Sequence, residues 1–136
     1  MKICLTWEAE RVVAIELPQR PPADLTPEEL RELEASLAAL PLQFPPASDF
    51  RHRVWEAIRR IPFGQSVTYR QLAEQIGAPN AARAVGGACA ANRLLLAVPC
   101  HRVVTSNGRQ GGFALGAKWK QTLLALEAAA VTSPAA

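Results

Sequence analysis

Seven of the eleven prolines in this 136-residue chain fall within the first 46 residues: Pro18, Pro21, Pro22, Pro27, Pro41, Pro45 and Pro46. Proline fixes φ and removes a backbone donor, so no long helix or central strand can run through such a stretch. The first third therefore has to be built from short elements, and the main core must come from the rest of the chain. Ile3, Leu5 and Trp7, then Val13, Ile15 and Leu17, alternate on either side of Glu8 to Glu10 as the arms of a small hairpin. Thr26-Pro27-Glu28-Glu29 is a capping-box start with proline at the first helical position, and Leu30, Leu33, Leu37 and Leu40 form one apolar stripe before Pro41 stops the helix. Pro45 to Ser48 reads as a linker, with Ser48 or Asp49 capping the next helix. A chain of this length makes one ordinary domain with a small appendage. The expected division is an abbreviated segment over 1–47 (hairpin, helix, Pro-rich linker) and a principal domain over 48–136.

In the principal domain Phe50, Val54, Ile58 and Ile61 recur at helical spacing while Arg51, Arg53, Arg59 and Arg60 lie elsewhere, which predicts a core helix with a basic exterior. Thr68-Tyr69-Arg70-Gln71 opens a second, shorter helix that ends at Gly77. After Ala78-Pro79-Asn80, with Asn80 as a cap, Ala81 to Ala91 continue as a helix, giving a helix-turn-helix. In that last helix Ala81, Ala82, Ala84, Gly86, Gly87, Ala88 and Ala90 are small, and Arg83 is the one long side chain. Small residues allow close backbone approach, either to DNA with weak sequence reading or to another element of the protein. Leu94 to Val98 reads as a buried strand ending at Pro99, Val103-Val104 resumes apolar character, and a Gly-rich loop from Gly111 to Gly116 leads to a final helix with Trp119, Leu123, Leu124 and Leu126 that Glu127 ends. The fold class expected is α/β (α+β) overall, mainly helical in its C-terminal domain, with a short active-site strand.

Charge is distributed unevenly. Residues 1–49 carry four basic and nine acidic side chains, a net −5, and residues 50–136 carry eleven basic and three acidic, a net +8. A basic body of this kind suits a polyanion such as nucleic acid as well as it suits a solvated surface with no partner. No apolar run reaches transmembrane length and Met1 to Val13 lack the features of a secretory signal, so a cytoplasmic location is expected. Cys4, Cys89 and Cys100 make no C-x-x-C pair, and with only His52 and His101 available neither a disulfide framework nor a zinc tetrad is expected.

Cys100 and His101 are adjacent. A cysteine becomes a nucleophile when a base or cation brings its pKa from about 8.5 toward neutrality. Neighbours in an extended segment point to opposite faces, which favours a water-relayed contact over a direct one. Glu127, the only acid after Glu74, can orient the imidazole as the third member of a relay. On the same residues Cys100 also reads as a small buried hydrophobe.

Ile61-Pro62-Phe63-Gly64, Tyr69, Ala81-Ala82-Arg83-Ala84-Val85-Gly86, Asn92, Val98-Pro99-Cys100-His101-Arg102-Val103-Val104 and the downstream Gly-Phe loop with Glu127 resemble the O6-alkylguanine-DNA alkyltransferase family, over about Phe50 to Glu127. The resemblance implies single-turnover DNA repair, with irreversible transfer of an alkyl group from O6-alkylguanine, and from O4-alkylthymine as a further candidate, to Cys100. It implies no cofactor, and although Cys4 and His52 suggest the zinc of some relatives, the remaining ligands are missing, so no metal is expected. By position it makes His101 the water-mediated base, Glu127 its orienter, Tyr69 the hydroxyl that supports the guanine ring nitrogen, and Asn92 the tie between recognition helix and active-site strand. Arg83 would fill the stack left by a flipped nucleotide, with Tyr69, Ala82, Gly86 and Arg102 also on the DNA. Val103, Phe113 and Ala114 would line the substrate pocket. The implied partner is duplex DNA approached from the minor groove by a monomer with weak sequence preference.

Arg93-Leu94 and Phe113-Ala114 depart from residues frequent in that family, which bears on substrate range more than on chemistry. Three other readings compete. An alkyltransferase-like binding module would lack the cysteine, which is present. A major-groove regulator would need more base-reading side chains than Arg83 alone. A Cys-His hydrolase would need an oxyanion motif, which the sequence does not show.

Overall fold

A computed structural model describes residues 1–106 and 116–132. The hairpin forms from β1 (Cys4–Glu8) and β2 (Arg11–Glu16), antiparallel, with Leu5 opposite Ile15. Its alternation is broken. Thr6 pairs with Ala14 and Trp7 with Val12, so Val13 is an extra residue on β2 and a bulge twists the ribbon there. Val12, Ala14 and Ile15 are the buried positions in place of the expected Val13, Ile15, Leu17 set, and Trp7 stays 49 % exposed. The outer edge of β2 is not left open. Val12 N–H donates to Pro41 O at 2.8 Å and Ile15 N–H to Arg93 O at 2.8 Å, which fastens the hairpin to the body of the protein.

Helix α1 (Pro27–Ala38) starts as the sequence predicts. Thr26 accepts from Glu29 N–H, and the Glu29 carboxylate accepts from Thr26 N–H, both at 3.1 Å. Its buried face is Leu30, Glu34 and Leu37, an i, i+4, i+7 stripe with a carboxylate in the middle. Helix α2 (Asp49–Arg59) is capped by Ser48, buries Val54, Trp55 and Ile58, and leaves Arg51, Arg53 and Arg59 exposed. The Trp55 indole N–H donates to Ala88 O at 2.8 Å and so joins α2 to the helix that crosses behind it.

The short strand β3 (Val67–Thr68) runs straight into α3 (Tyr69–Gln75), whose capping box is Thr68 with Gln71. Gly77, at φ +78°, turns the chain out of α3 in a conformation that a side chain would strain, and α4 (Ala82–Ala90) completes the helix-turn-helix. Ala81 occupies the N-cap of α4 with no side-chain cap, so Asn80 does not have the expected role. Val85, Ala88 and Cys89 form the inner face of α4.

The run Leu94 to Val98 is not a strand. It folds back on itself, with Val98 N–H bonded to Leu94 O at 2.9 Å and Leu96 at φ +67°. Asn92 is the cause: its Nδ2 donates to Val98 O at 3.0 Å while its Oδ1 accepts from Leu94 N–H at 2.9 Å, closing a loop that apolar burial alone would have left extended. A 3₁₀ turn (Cys100–Arg102) comes next, then β4 (Val103–Val104), which pairs in parallel with β3. That pairing places the turn beside the start of α3. Helix α5 (Ala117–Thr132) runs one turn past Glu127 and buries Trp119 and Leu123, and the Trp119 indole donates to Pro18 O at 2.8 Å. No described helix is long and apolar enough to cross a membrane.

Candidate active site and nucleic-acid interface

Cys100 opens the 3₁₀ turn and is 1 % exposed. Its thiol pKa is raised well above the ordinary value, first by a hydrogen bond with Cys89, then by burial, while Asn92 and Lys120 pull it the other way. The resting thiol is thus held protonated, opposite to the lowering the sequence reading asked for. Cys89 is the reason that could not be foreseen: its place on the inner stripe of α4 with Val85 and Ala88 reads as core, and only the folded chain brings it to Cys100.

His101 is fully buried, and its Nε2 lies against Glu127 Oε2 and 3.3 Å from Glu34 Oε1. The expected pairing of His101 with Glu127 is therefore present in the geometry, with a second carboxylate that was not expected. Burial by itself would lower the imidazole pKa, but the bonds to Glu127 and Glu34 outweigh it and the pKa is raised. Burial likewise works to raise the Glu127 pKa, yet the bonds from His101 and Arg102 bring it down to about 2. Glu34 goes the other way, raised by burial against the pull of His101.

Arg102 corrects an expectation. It is 6 % exposed and cannot serve DNA. Its Nε donates to Glu127 Oε1 at 2.8 Å, its Nη2 to Glu127 Oε2 at 3.1 Å and Glu34 Oε2 at 3.0 Å, and its Nη1 to Ile61 O at 2.8 Å. Glu127 Oε1 also accepts from Gly64 N–H at 3.0 Å, which brings the Pro62-Phe63-Gly64 turn into the cluster. The ligand atoms of Glu34, His101 and Glu127 lie within 4.8 Å of one another, but the guanidinium already holds three of the four carboxylate oxygens and supplies the cation that such a group would attract.

Tyr69, the first residue of α3, is half-buried and close enough to Cys89 and Cys100 to feel their charge. Burial, then the nearby Cys89 and Cys100, push its pKa up to about 12, so the phenol keeps its proton and can donate. Lys120 from α5, buried, donates to Val103 O at 2.7 Å and reaches the Tyr69 hydroxyl at 3.5 Å; burial lowers its pKa. No sequence signal marks Lys120, which stands next to the core Trp119. Val103 is fully buried, and Phe113 and Ala114 lie outside the described residues.

Outside this cluster an open cleft of about 510 Å³ is lined by Tyr69, Arg70, Ala82, Arg83, Gly86, Ala90, Thr105 and Ser106. It gathers four of the five residues expected on DNA, and Arg83 is exposed to solvent there. A methyl group added at Gly86 would meet its nearest neighbour, Tyr69 Cε1, at 3.9 Å, and one at Gly87 would meet Arg51 Nη2 at 3.8 Å. Both are ordinary contacts. Packing inside the protein does not by itself require glycine at either position.

Residues 49–129 match the family described as "6-O-methylguanine DNA methyltransferase, DNA binding domain". A methylated-DNA–protein-cysteine methyltransferase of Mycolicibacterium paratuberculosis is 52 % identical over 80 residues, which cover 59 % of this chain and 48 % of that protein. The chain thus spans about half the length of this curated relative. Among solved structures, the Mycobacterium tuberculosis OGT in complex with DNA superposes with a TM-score of 0.76 at 29 % identity, over 93 % of this chain and 86 % of that one. The S. pombe Atl1 in complex with damaged DNA containing O6-carboxymethylguanine gives a TM-score of 0.54 at 30 % identity, over 61 % of this chain and 79 % of that one. With the match running through α2, the helix-turn-helix, the buried cysteine turn and Glu127, the chain belongs to the 6-O-methylguanine DNA methyltransferase family by its DNA-binding domain.

Proposed function

We propose that the protein repairs DNA by moving an alkyl group from guanine O6 onto Cys100, once per molecule. The observation that carries this reading is the buried thiol of Cys100 next in the chain to the His101–Glu127 pair, with Tyr69, whose phenol feels the charge of Cys100, on the wall of a small-residue cleft that also bears Arg83. A thiol at 1 % exposure is out of reach of a base within a duplex, so the nucleotide has to leave the stack, at a cost of a few kcal/mol. Ala82 and Gly86 let the α4 backbone come close to the minor groove, and Arg83 takes the space that the base vacates.

The chemistry is a displacement at the alkyl carbon. Sγ forms a bond to that carbon while the carbon–O6 bond breaks and its electron pair goes to the purine. The thiol proton passes through a water to His101, and the purine anion takes up a proton from solvent as the imidazolium returns one to it, so that thiol and alkylguanine become thioether and guanine. Because the thiol by itself stays protonated, the relay is needed. Tyr69, protonated to about pH 12, supports the charge developing on the purine by donating to a ring nitrogen. The test is direct: incubation with duplex holding one O6-methylguanine should raise the intact mass of each chain by one methyl in exchange for the thiol proton. Unchanged mass with retained binding would make the protein a lesion-recognition module instead.

Arg83→Ala separates flipping from chemistry. The variant should react with the free base O6-benzylguanine at the wild-type rate yet repair duplex at least tenfold more slowly, a loss of about 1.4 kcal/mol or more in the flipping step. The deficit should shrink with the lesion in single strands, where less unstacking is required. Equal losses on free base and duplex would remove Arg83 from the flipping step.

A further inference from the structure

The carboxylate of Glu34 enters the cluster from outside the family's domain. It stands on α1, whereas the match begins at residue 49, and it reaches an arginine 68 positions further along the chain. Charge alone shows why this matters. Glu127 and Arg102 neutralise each other through two parallel bonds, the fork-to-fork arrangement that satisfies both. Glu34 adds a second buried negative charge, and the group that faces it, 3.3 Å away, is the imidazole of His101. Among the described residues, the charged or titratable groups around that ring are Glu34 from α1, Glu127 from α5, and Cys100 and Arg102 from its own turn. With Glu34 ionised and the ring neutral the three partners carry a net −1 away from water, a charge that a proton held between Glu34 and the ring removes. Buried charge without compensation is strongly disfavoured.

We infer that Glu34 is a positioning residue of the active site, which holds His101 Nε2 together with Glu127 and raises the affinity of the imidazole for the proton that Cys100 gives up. The proton leaves Sγ, passes through a water and ends on the ring, and the imidazolium so formed is flanked by two carboxylates. The N-terminal segment is by this account part of the catalytic apparatus. The inference rests on Cys100 as the alkyl acceptor, but its decisive readout does not.

Glu34→Gln is the variant of choice because the amide oxygen can still accept from Arg102 Nη2, so that shape and one bond remain while the charge is lost. Titration of the His101 ring followed by NMR should show a midpoint above the ordinary imidazole value in the wild type and a midpoint about one pH unit lower in the variant. Transfer to O6-benzylguanine should fall about tenfold at neutral pH, and the gap should narrow as the pH rises and the thiol ionises without help. A structural role alone would slow transfer equally at every pH and leave the His101 midpoint in place, which would overturn the inference. Should that variant not fold, Glu34→Asp, which keeps the charge and withdraws it by one methylene, decides it: a His101 midpoint unmoved from that of the wild type refutes a proton affinity raised by Glu34. If no alkyl transfer is found at all, the proposed function fails while the His101 titration continues to judge Glu34.

Discussion

The Cys100→Ala protein should bind lesion-containing duplex with near wild-type affinity and gain no mass from it. The two halves of this result come from different parts of the structure. Under the proposed function, affinity would come from phosphate contacts and from the exposed cleft of α3 and α4, whose lining does not include the sulfur. Chemistry depends wholly on the one acceptor atom. Removing it costs the whole reaction, because neither remaining cysteine can substitute: Cys4 is exposed on the hairpin, and Cys89 lies on the inner face of α4 without an adjoining histidine. Intact mass measured after incubation with O6-methylguanine duplex, with peptide mapping of the wild-type product, checks both points. A methyl group found on the Cys100→Ala chain, or on Cys89 in the wild type, would reassign the acceptor.

Arg102→Met is expected to destabilise the fold by about 3–5 kcal/mol, because it leaves two carboxylates buried with only an imidazole to answer them. That is a large share of the roughly 5–15 kcal/mol that typically holds a domain together. The flexible methionine fills much of the volume, so the loss reports charge and hydrogen bonding more than a cavity. Urea unfolding of the single variant should show the loss, and adding Glu34→Gln should return part of it, since the double variant keeps only the Glu127–His101 pair. Independent, additive effects of the two substitutions would mean that Arg102 and Glu34 do not form one network.

The residues that a sequence can and cannot disclose differ by whether their role is local. Thr26 with Glu29 and Thr68 with Gln71 are local devices, read from spacing alone, and both capping boxes form as read. The helix-turn-helix is likewise built by neighbours. Glu34 did carry a signal, since it falls between Leu30 and Leu37 on one stripe, but a lone acid among Glu28, Glu29 and Glu32 reads as one more solvated charge. Arg102 is placed on DNA by the family resemblance alone, and nothing in its neighbours tells that Glu34 of α1 and Glu127 of α5 close over it. Leu94 to Val98 has the composition of a strand, and the competing influence is a single side chain, Asn92, whose two hydrogen bonds reverse the chain. The bulge at Val13 shows the same limit at smaller scale: one extra residue changes which faces are buried, and apolar alternation cannot count it.

The span of the buried cluster also bears on how the molecule comes into being. The helix-turn-helix of α3 and α4 occupies a continuous stretch of about twenty residues, contacts that close quickly and with little entropy to lose. Glu34, His101, Arg102 and Glu127, by contrast, meet only when positions 93 apart in the chain have come together. During synthesis Glu34 leaves the ribosome long before Glu127, so its carboxylate waits in water while nearly the whole chain is made. Under the proposed function, the surface that would meet nucleic acid can close early, while the relay beside the thiol is completed only when the last helix arrives.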